Sequence, residues 1–376
     1  MKKIFLFLKK EPMLAVSLIA AAAGLFITPP GSALLSAIDW KTLATLFMLL
    51  SVLDGFKQEN IFRPLLRLSA RLKTQAGLTF FLVFGVFFSS MFVTNDVSLI
   101  IFVPLTILLF RGGDKECYIL PALALENIAA VRGSLLTPFG SPQNLFLYSE
   151  SGLTTGEFMG LMLPLWLGSA ALLALFILFL YRKNPREPGV PAPEPAEWRP
   201  ERAGKRQLYL VLFALVIAAI VSRTSYWPAV LVVVTAALAL FDRAVFRRVD
   251  YVLLATFFCF FVFSASIAGN ERAAAFLSRS VAGREYWWSL ALSQLISNVP
   301  ASIVLQSFST DLRALLYGLD SAGLVTVIGS LASVINLRLY TAEYPGRGKD
   351  FLRVFEIVSL AFFAIIVLPQ YWLLRL

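Results

Sequence analysis

Thr94-Asn95-Asp96 sits between two apolar stretches, 80–93 and 97–110, and Ser297-Asn298 sits between 287–296 and 301–308. Polar side chains in such company suit one kind of chemistry, the holding of an ion. Their hydroxyl and amide oxygens, with the carbonyls that a broken helix frees, can ligate a hard cation such as Na⁺. The backbone N–H groups that open the returning helical arm suit an anion instead. Thr94, Asn95, Ser297 and Asn298 are therefore candidate Na⁺ ligands, and Asp96 is a candidate cation ligand or exchanging carboxylate. The opposing reading makes both motifs solvent-exposed turns between short spans. Both copies place Asn directly after a hydroxyl residue, which favours a shared purpose.

A second pair of motifs lies inside longer apolar segments. Gly140-Ser141-Pro142-Gln143-Asn144 interrupts 118–148, and Gly329-Ser330-Leu331-Ala332-Ser333 interrupts 314–341. Gly and Pro within a span unwind it and release backbone groups to a ligand. Gly140, Ser141, Gln143, Asn144, Gly329, Ser330 and Ser333 join the candidate site on that ground. The second segment lacks proline, so close helix packing through small residues competes there. Arg132 precedes the first break and Arg338 follows the second. An arginine at membrane depth suits an oxyanion. The alternatives are pairing of Arg132 with Glu126 or Asp96, and snorkelling of Arg338 to the inner surface. Asp54 reads as interfacial, and no carboxylate besides Asp96 reads as lying at mid-depth.

These residues need elements that carry them into a membrane. The chain is 58% hydrophobic with mean hydropathy +0.77, against about 45–50% apolar residues in soluble domains. Nine spans are expected, near 13–28, 39–56, 118–148, 158–181, 208–222, 226–241, 250–268, 314–341 and 352–374. The segments 78–110 and 286–309 each hold a polar break halfway and are expected as re-entrant hairpins with short arms. With the N-terminus inside, 24 of the 33 basic residues fall in cytoplasmic loops, so the excess of positive charge serves orientation and not nucleic acid. The 13–28 segment reads as a retained first span; its alanine-rich run leaves a cleaved leader as the other reading. Cys117 and Cys259 lack the spacing of a disulfide or metal framework, and histidine is absent.

The motifs also come in pairs. Asp39-Trp40-Lys41-Thr42-Leu43-Ala44-Thr45 returns 211 residues later as Asp250-Tyr251-Val252-Leu253-Leu254-Ala255-Thr256, and Thr137-Pro138-Phe139-Gly140-Ser141 is answered by Thr326-Val327-Ile328-Gly329-Ser330. The parity of the span count sends the two copies through the membrane in opposite directions. The expected fold is an all-α polytopic membrane protein with two inverted repeats and discontinuous helices. Residues 1–183 form the first repeat, 184–206 a polar, Pro-rich cytoplasmic linker, and 207–376 the second repeat. The first repeat reads as one span short of five.

Thr94-Asn95-Asp96-Val97-Ser98-Leu99, Gly140-Ser141-Pro142-Gln143-Asn144-Leu145, Ser297-Asn298-Val299-Pro300-Ala301 and Gly329-Ser330-Leu331-Ala332-Ser333 resemble the signature segments of the ion transporter superfamily. That superfamily holds arsenite permeases, NhaD-type sodium–proton antiporters, and citrate and divalent-anion symporters. The resemblance covers nearly the whole chain. It implies two hairpins with a site at their tips, often one Na⁺ site per repeat, and often a homodimer. The divalent-anion symporters read Ser-Asn-Thr at each tip; here the third position is Asp96 in one and Val299 in the other.

The expected function is secondary active transport of a small anion, an inorganic oxyanion or a carboxylate, across the cytoplasmic membrane. Na⁺ or H⁺ would drive it, with no cofactor beyond that ion and the lipid bilayer as surroundings. The alternative is Na⁺/H⁺ antiport using Asp96. An intramembrane enzyme is the remote alternative, since no His, Ser/Lys or Asp/Asp arrangement is present. No phosphate-cradling Gly-rich loop supports an ATP-driven pump.

Overall fold

A computed structural model describes residues 12–28, 31, 36, 38–59, 72, 74–112, 114–184, 203–222 and 225–374. The basic N-terminal segment, most of the cytoplasmic loop expected at 57–73 and most of the expected linker lie outside the described residues. Within them the chain forms sixteen α-helices and several 3₁₀ turns. Seven helical segments are long and apolar enough to cross a bilayer, and two shorter apolar helices, Leu14–Phe26 and Trp227–Phe241, accompany them.

In chain order, α1 (Pro12–Ile27) and α2 (Trp40–Gln58) lead to α3 (Gln75–Val93) and α4 (Asn95–Gly112). Then come α5 (Ile119–Gly133), α6 (Pro142–Ser151) and α7 (Thr155–Leu180). After α8 (Ala203–Val221) the order repeats. It runs α9 (Trp227–Phe241), α10 (Tyr251–Ala268), the surface helix α11 (Glu271–Val281), α12 (Glu285–Ile296) with α13 (Asn298–Gln306), α14 (Leu312–Ala322) with α15 (Leu331–Glu343), and α16 (Gly348–Leu373). Counting α3 with α4, α5 with α6, α12 with α13 and α14 with α15 as one unit each, five units precede α8 and five follow it besides α11.

Matched motifs adopt matched local conformations. Asp39 Oδ1 accepts from the Thr42 N–H at 2.9 Å, and Asp250 Oδ1 accepts from the Leu253 N–H at 2.9 Å. Both are helix caps made by a carboxylate three residues ahead of an orphan donor. Thr45 and Thr256 each donate their hydroxyl to the carbonyl four residues back, at 2.7 and 2.8 Å. The breaks correspond as well. The Gly140 N–H donates to Thr137 O at 3.2 Å, and the Gly329 N–H donates to Thr326 O at 3.1 Å. A Cβ at either glycine would stand 2.1 Å from a carbonyl oxygen, that of Ser134 or of Ala322, so only glycine fits.

The packing is also reciprocal. Helix α1 lies on α10 while α9 lies on α2, and α4 lies on α15 while α13 lies on α6. The core sits where α5 and α6 meet α14, in a stretch from Ile119 to Tyr148 that is buried almost throughout.

One expectation about the hairpins needs correction. Short arms are found in the second pair, where α12 and α13 have 12 and 9 residues, about 18 and 14 Å. In the first pair α3 and α4 have 19 and 18 residues, about 28 Å each, close to the depth of a hydrocarbon core. The physical reason is the run from the Thr74 cap to Thr94, which holds no charged residue and no proline to end the helix early.

Candidate functional site

A cavity of about 250 Å³ lies where the first hairpin tip meets the first helix break. Thr94 and Asp96 line it from the tip, Ser141 and Pro142 from the break, and Leu331 from the second half. The cavity reaches the surface beside Asp54, Arg248 and the exposed Asp250. Three helix starts therefore face one space, those of α4, α6 and α15. Neither Ser141 nor Ser330 caps the helix it precedes, which leaves first-turn N–H groups to other partners.

Two oxygens at this cavity stand buried without a hydrogen bond, Asp96 Oδ1 and Ser141 Oγ. Both can accept, and both suit a cation. Asn95 is held from two sides. Its N–H donates to Gly140 O at 3.2 Å, tying tip to break, and its side-chain oxygen accepts from the Asp96 N–H at 2.9 Å. At the surface end Arg248 donates to Asp54 Oδ2 at 2.6 Å and stands 3.7 Å from Asp242. Asp54, read as interfacial, is thus one side of the cavity mouth.

The remaining candidates gather elsewhere. Ser297 and Asn298 form the second tip, where Asn298 donates to Leu319 O at 3.4 Å; they do not line the cavity. Ser333 accepts from Asn127 at 3.0 Å, a cross-half contact continued by Asn336, which donates to Leu123 O at 2.9 Å. Gly329 lies against Ala322 and Gln294, and Ser330 is buried at the start of α15.

Gln143, Asn144 and Arg132 converge on a residue that sequence reasoning missed, Asp320. Gln143 donates to Asp320 Oδ1 at 3.0 Å. Arg132 donates to the Asp320 backbone carbonyl and to Ser321 Oγ, each at 3.3 Å. Asn144 stands beside Asp320 without a well-formed hydrogen bond. Pairing of Arg132 with Glu126 or Asp96 is not found: Glu126 accepts from Thr106, and Asp96 faces the cavity. Arg338 is exposed on α15, as snorkelling requires. Two further acids, Glu126 and Asp320, are fully buried inside the protein. An acidic residue inside an apolar helix was the available signal for both.

The sequence profile of the citrate transporter family matches residues 4–314. The chain is similar to Inner membrane protein YbiR of Escherichia coli, at 32% identity over 312 residues, 81% of each chain. It is also similar to Uncharacterized transporter MJ0456 of Methanocaldococcus jannaschii, at 29% identity over 309 residues, covering 80% of this chain and 81% of the relative.

Proposed function

The chain belongs to the citrate transporter family and is an integral membrane transporter, and on that premise we propose that it carries a small anion by secondary active transport. The substrate class is a carboxylate or inorganic oxyanion, the driving ion is Na⁺ or H⁺, and the mechanism is alternating access between two inverted halves in the cytoplasmic membrane, with the N-terminus inside. The observation that carries the anion is the set of three helix N-termini at one cavity. Each presents the partial positive charge of its helix dipole to the same space. The driving cation is supported by the two unpartnered acceptors there, Asp96 Oδ1 and Ser141 Oγ. A site of opposite charges close together lets each ion raise the other's affinity, which is the thermodynamic content of symport. Na⁺/H⁺ antiport is the second reading, favoured by the position of the Asp96 carboxylate at the cavity.

Uptake into proteoliposomes separates the two. Citrate, succinate, sulfate and arsenite are supplied with and without inward Na⁺ and pH gradients, for the wild type and Asp96→Asn. Symport predicts that one anion accumulates only with a gradient. The variant should then need more coupling ion for half-maximal uptake, tenfold for each ~1.4 kcal/mol of interaction lost. A pH-driven Na⁺ flux with no anion moved, abolished by Asp96→Asn at every pH, overturns the symport reading in favour of antiport.

A further inference from the structure

The cluster around Asp320 has no part in the cavity, yet it joins the two halves at their most buried point. Arg132 on α5 is fully buried, and its Nε and Nη2 make no hydrogen bond. Asp320 on α14 is equally buried; Gln143 on α6 satisfies one carboxylate oxygen, and the other, Oδ2, has no partner. A buried cation, bonded to the Asp320 backbone carbonyl and not to its carboxylate, thus lies within electrostatic reach of that buried carboxylate, with donors and an acceptor to spare. Fixed structural pairs at this depth tend to be fully hydrogen-bonded, because half-satisfied ones are costly. An arrangement with unused valence at both charges is suited to change its charge.

We propose that Asp320 is a proton-binding site, and that protonating it releases the charge of Arg132 to favour entry of the anion. The proposal rests on the transport reading for its consequence, but the site itself rests on geometry. The step is a proton transfer: the Asp320 carboxylate forms one O–H bond to a proton delivered by hydronium, whose own O–H bond breaks to leave water. Ionised Asp320 offsets Arg132 and accepts from Gln143, so the pair is neutral and α5, α6 and α14 are tied together. Once Asp320 is neutral, Arg132 is an uncompensated buried cation. Its field then draws an anion to the helix starts at the break between α5 and α6, in the same connected element. Proton and anion would enter together.

The neighbouring groups are compatible with that switch. On α5 the other acid, Glu126, is engaged by Thr106. From α12, Tyr286 donates to Gln370 Oε1 at 2.8 Å, and Gln370 also accepts from Ser321 at 3.0 Å; Glu285, at the far start of that helix, is held by Thr310. On α14 itself Tyr317 donates to Leu161 O at 2.8 Å. Helix α13 carries no ionisable side chain, and α6 brings only Tyr148 and Glu150 at its far end, besides Gln143 and Asn144. Arg132 is the charge that acts on Asp320 from these packed elements.

Infrared difference spectroscopy of the purified, reconstituted protein reads the site without any substrate. A carbonyl-stretch band of a protonated carboxyl should appear as pH falls, persist in Asp96→Asn, and vanish in Asp320→Asn. Gln143→Leu serves if Asp320→Asn does not fold. It should keep the band but move its midpoint to higher pH, because the ionised form loses its donor. A spectrum unchanged by Asp320→Asn, or by Gln143→Leu where that variant stands in, overturns the proposal. In parallel, [¹⁴C]citrate uptake into the same vesicles should rise with falling pH in the wild type and lose that dependence in Asp320→Asn. Failure of both proteins to move citrate or any anion of the panel would sink the transport reading alone, and the band would still decide the proton site.

Discussion

Thr94 and Ser297 carry the clearest local signature of function. Their φ values are +70° and +68°, with ψ of 156° and 158°, a region that side chains other than glycine rarely enter. Holding a residue there costs on the order of 1–3 kcal/mol, and such strain collects at ligand sites. Glycine would remove the strain, yet both positions hold a hydroxyl residue. Thr94→Gly and Ser297→Gly should therefore each stabilise the fold by about 1 kcal/mol while lowering anion uptake. Thermal unfolding in detergent, set beside proteoliposome uptake, measures the two effects. A lower unfolding temperature with normal uptake would show that the hydroxyls serve packing. The residue types at the tips were legible from sequence, because polar side chains in an apolar run stand out. Their backbone strain was not, since φ depends on how the two arms pack.

Between elements, the cavity mouth is closed on one side by a contact of the kind that breaks easily. Arg248 and Asp54 form an ion pair at 2.6 Å with side chains 30% and 15% exposed. Pairs of that exposure contribute roughly 0–1 kcal/mol, so the link between α2 and the segment before α10 can open at little cost. Arg248→Gln should speed thiol modification of Leu50→Cys, placed at the cavity wall on a background with Cys117 and Cys259 replaced by Ser. The rate of maleimide labelling checks this. An unchanged rate would mean that this pair does not control access. The pairing could not be read from sequence, because Asp54 and Arg248 lie 194 residues apart. The two helix breaks were easier to read: Pro138, Gly140 and Pro142 close together mark the first, and its repeat pattern marked the second despite the missing proline.

For the molecule as a whole, the central prediction is orientation. Cys117 is exposed in the turn before α5, on the face assigned to the cytoplasm, and Gly156 at the start of α7 has open space for a side chain. In inside-out and right-side-out vesicles an impermeant maleimide should reach native Cys117 from the cytoplasmic face only. Gly156→Cys, in a Cys117→Ser, Cys259→Ser background, should react from the opposite face only. Labelling of both positions from one face would remove the inverted arrangement and the transport scheme built on it.

The sequence by itself determined the class of this protein and the order of its parts. Apolar spans, basic loops and short motifs recurring in order are local properties, set by hydration of side chains and by backbone propensity. They survive without any knowledge of contacts. The tips Thr94-Asn95-Asp96 and Ser297-Asn298 and the breaks at Gly140 and Gly329 were legible for that reason. What surrounds them was decided by tertiary structure alone. Only packing brings Asp320 to Gln143 across 177 residues, sets Ser333 against Asn127, and leaves Ser297 and Asn298 away from the cavity that Thr94, Asp96 and Ser141 share. Charge compensation at depth is a matter of distances of a few ångströms, and a linear pattern of residue types does not encode them.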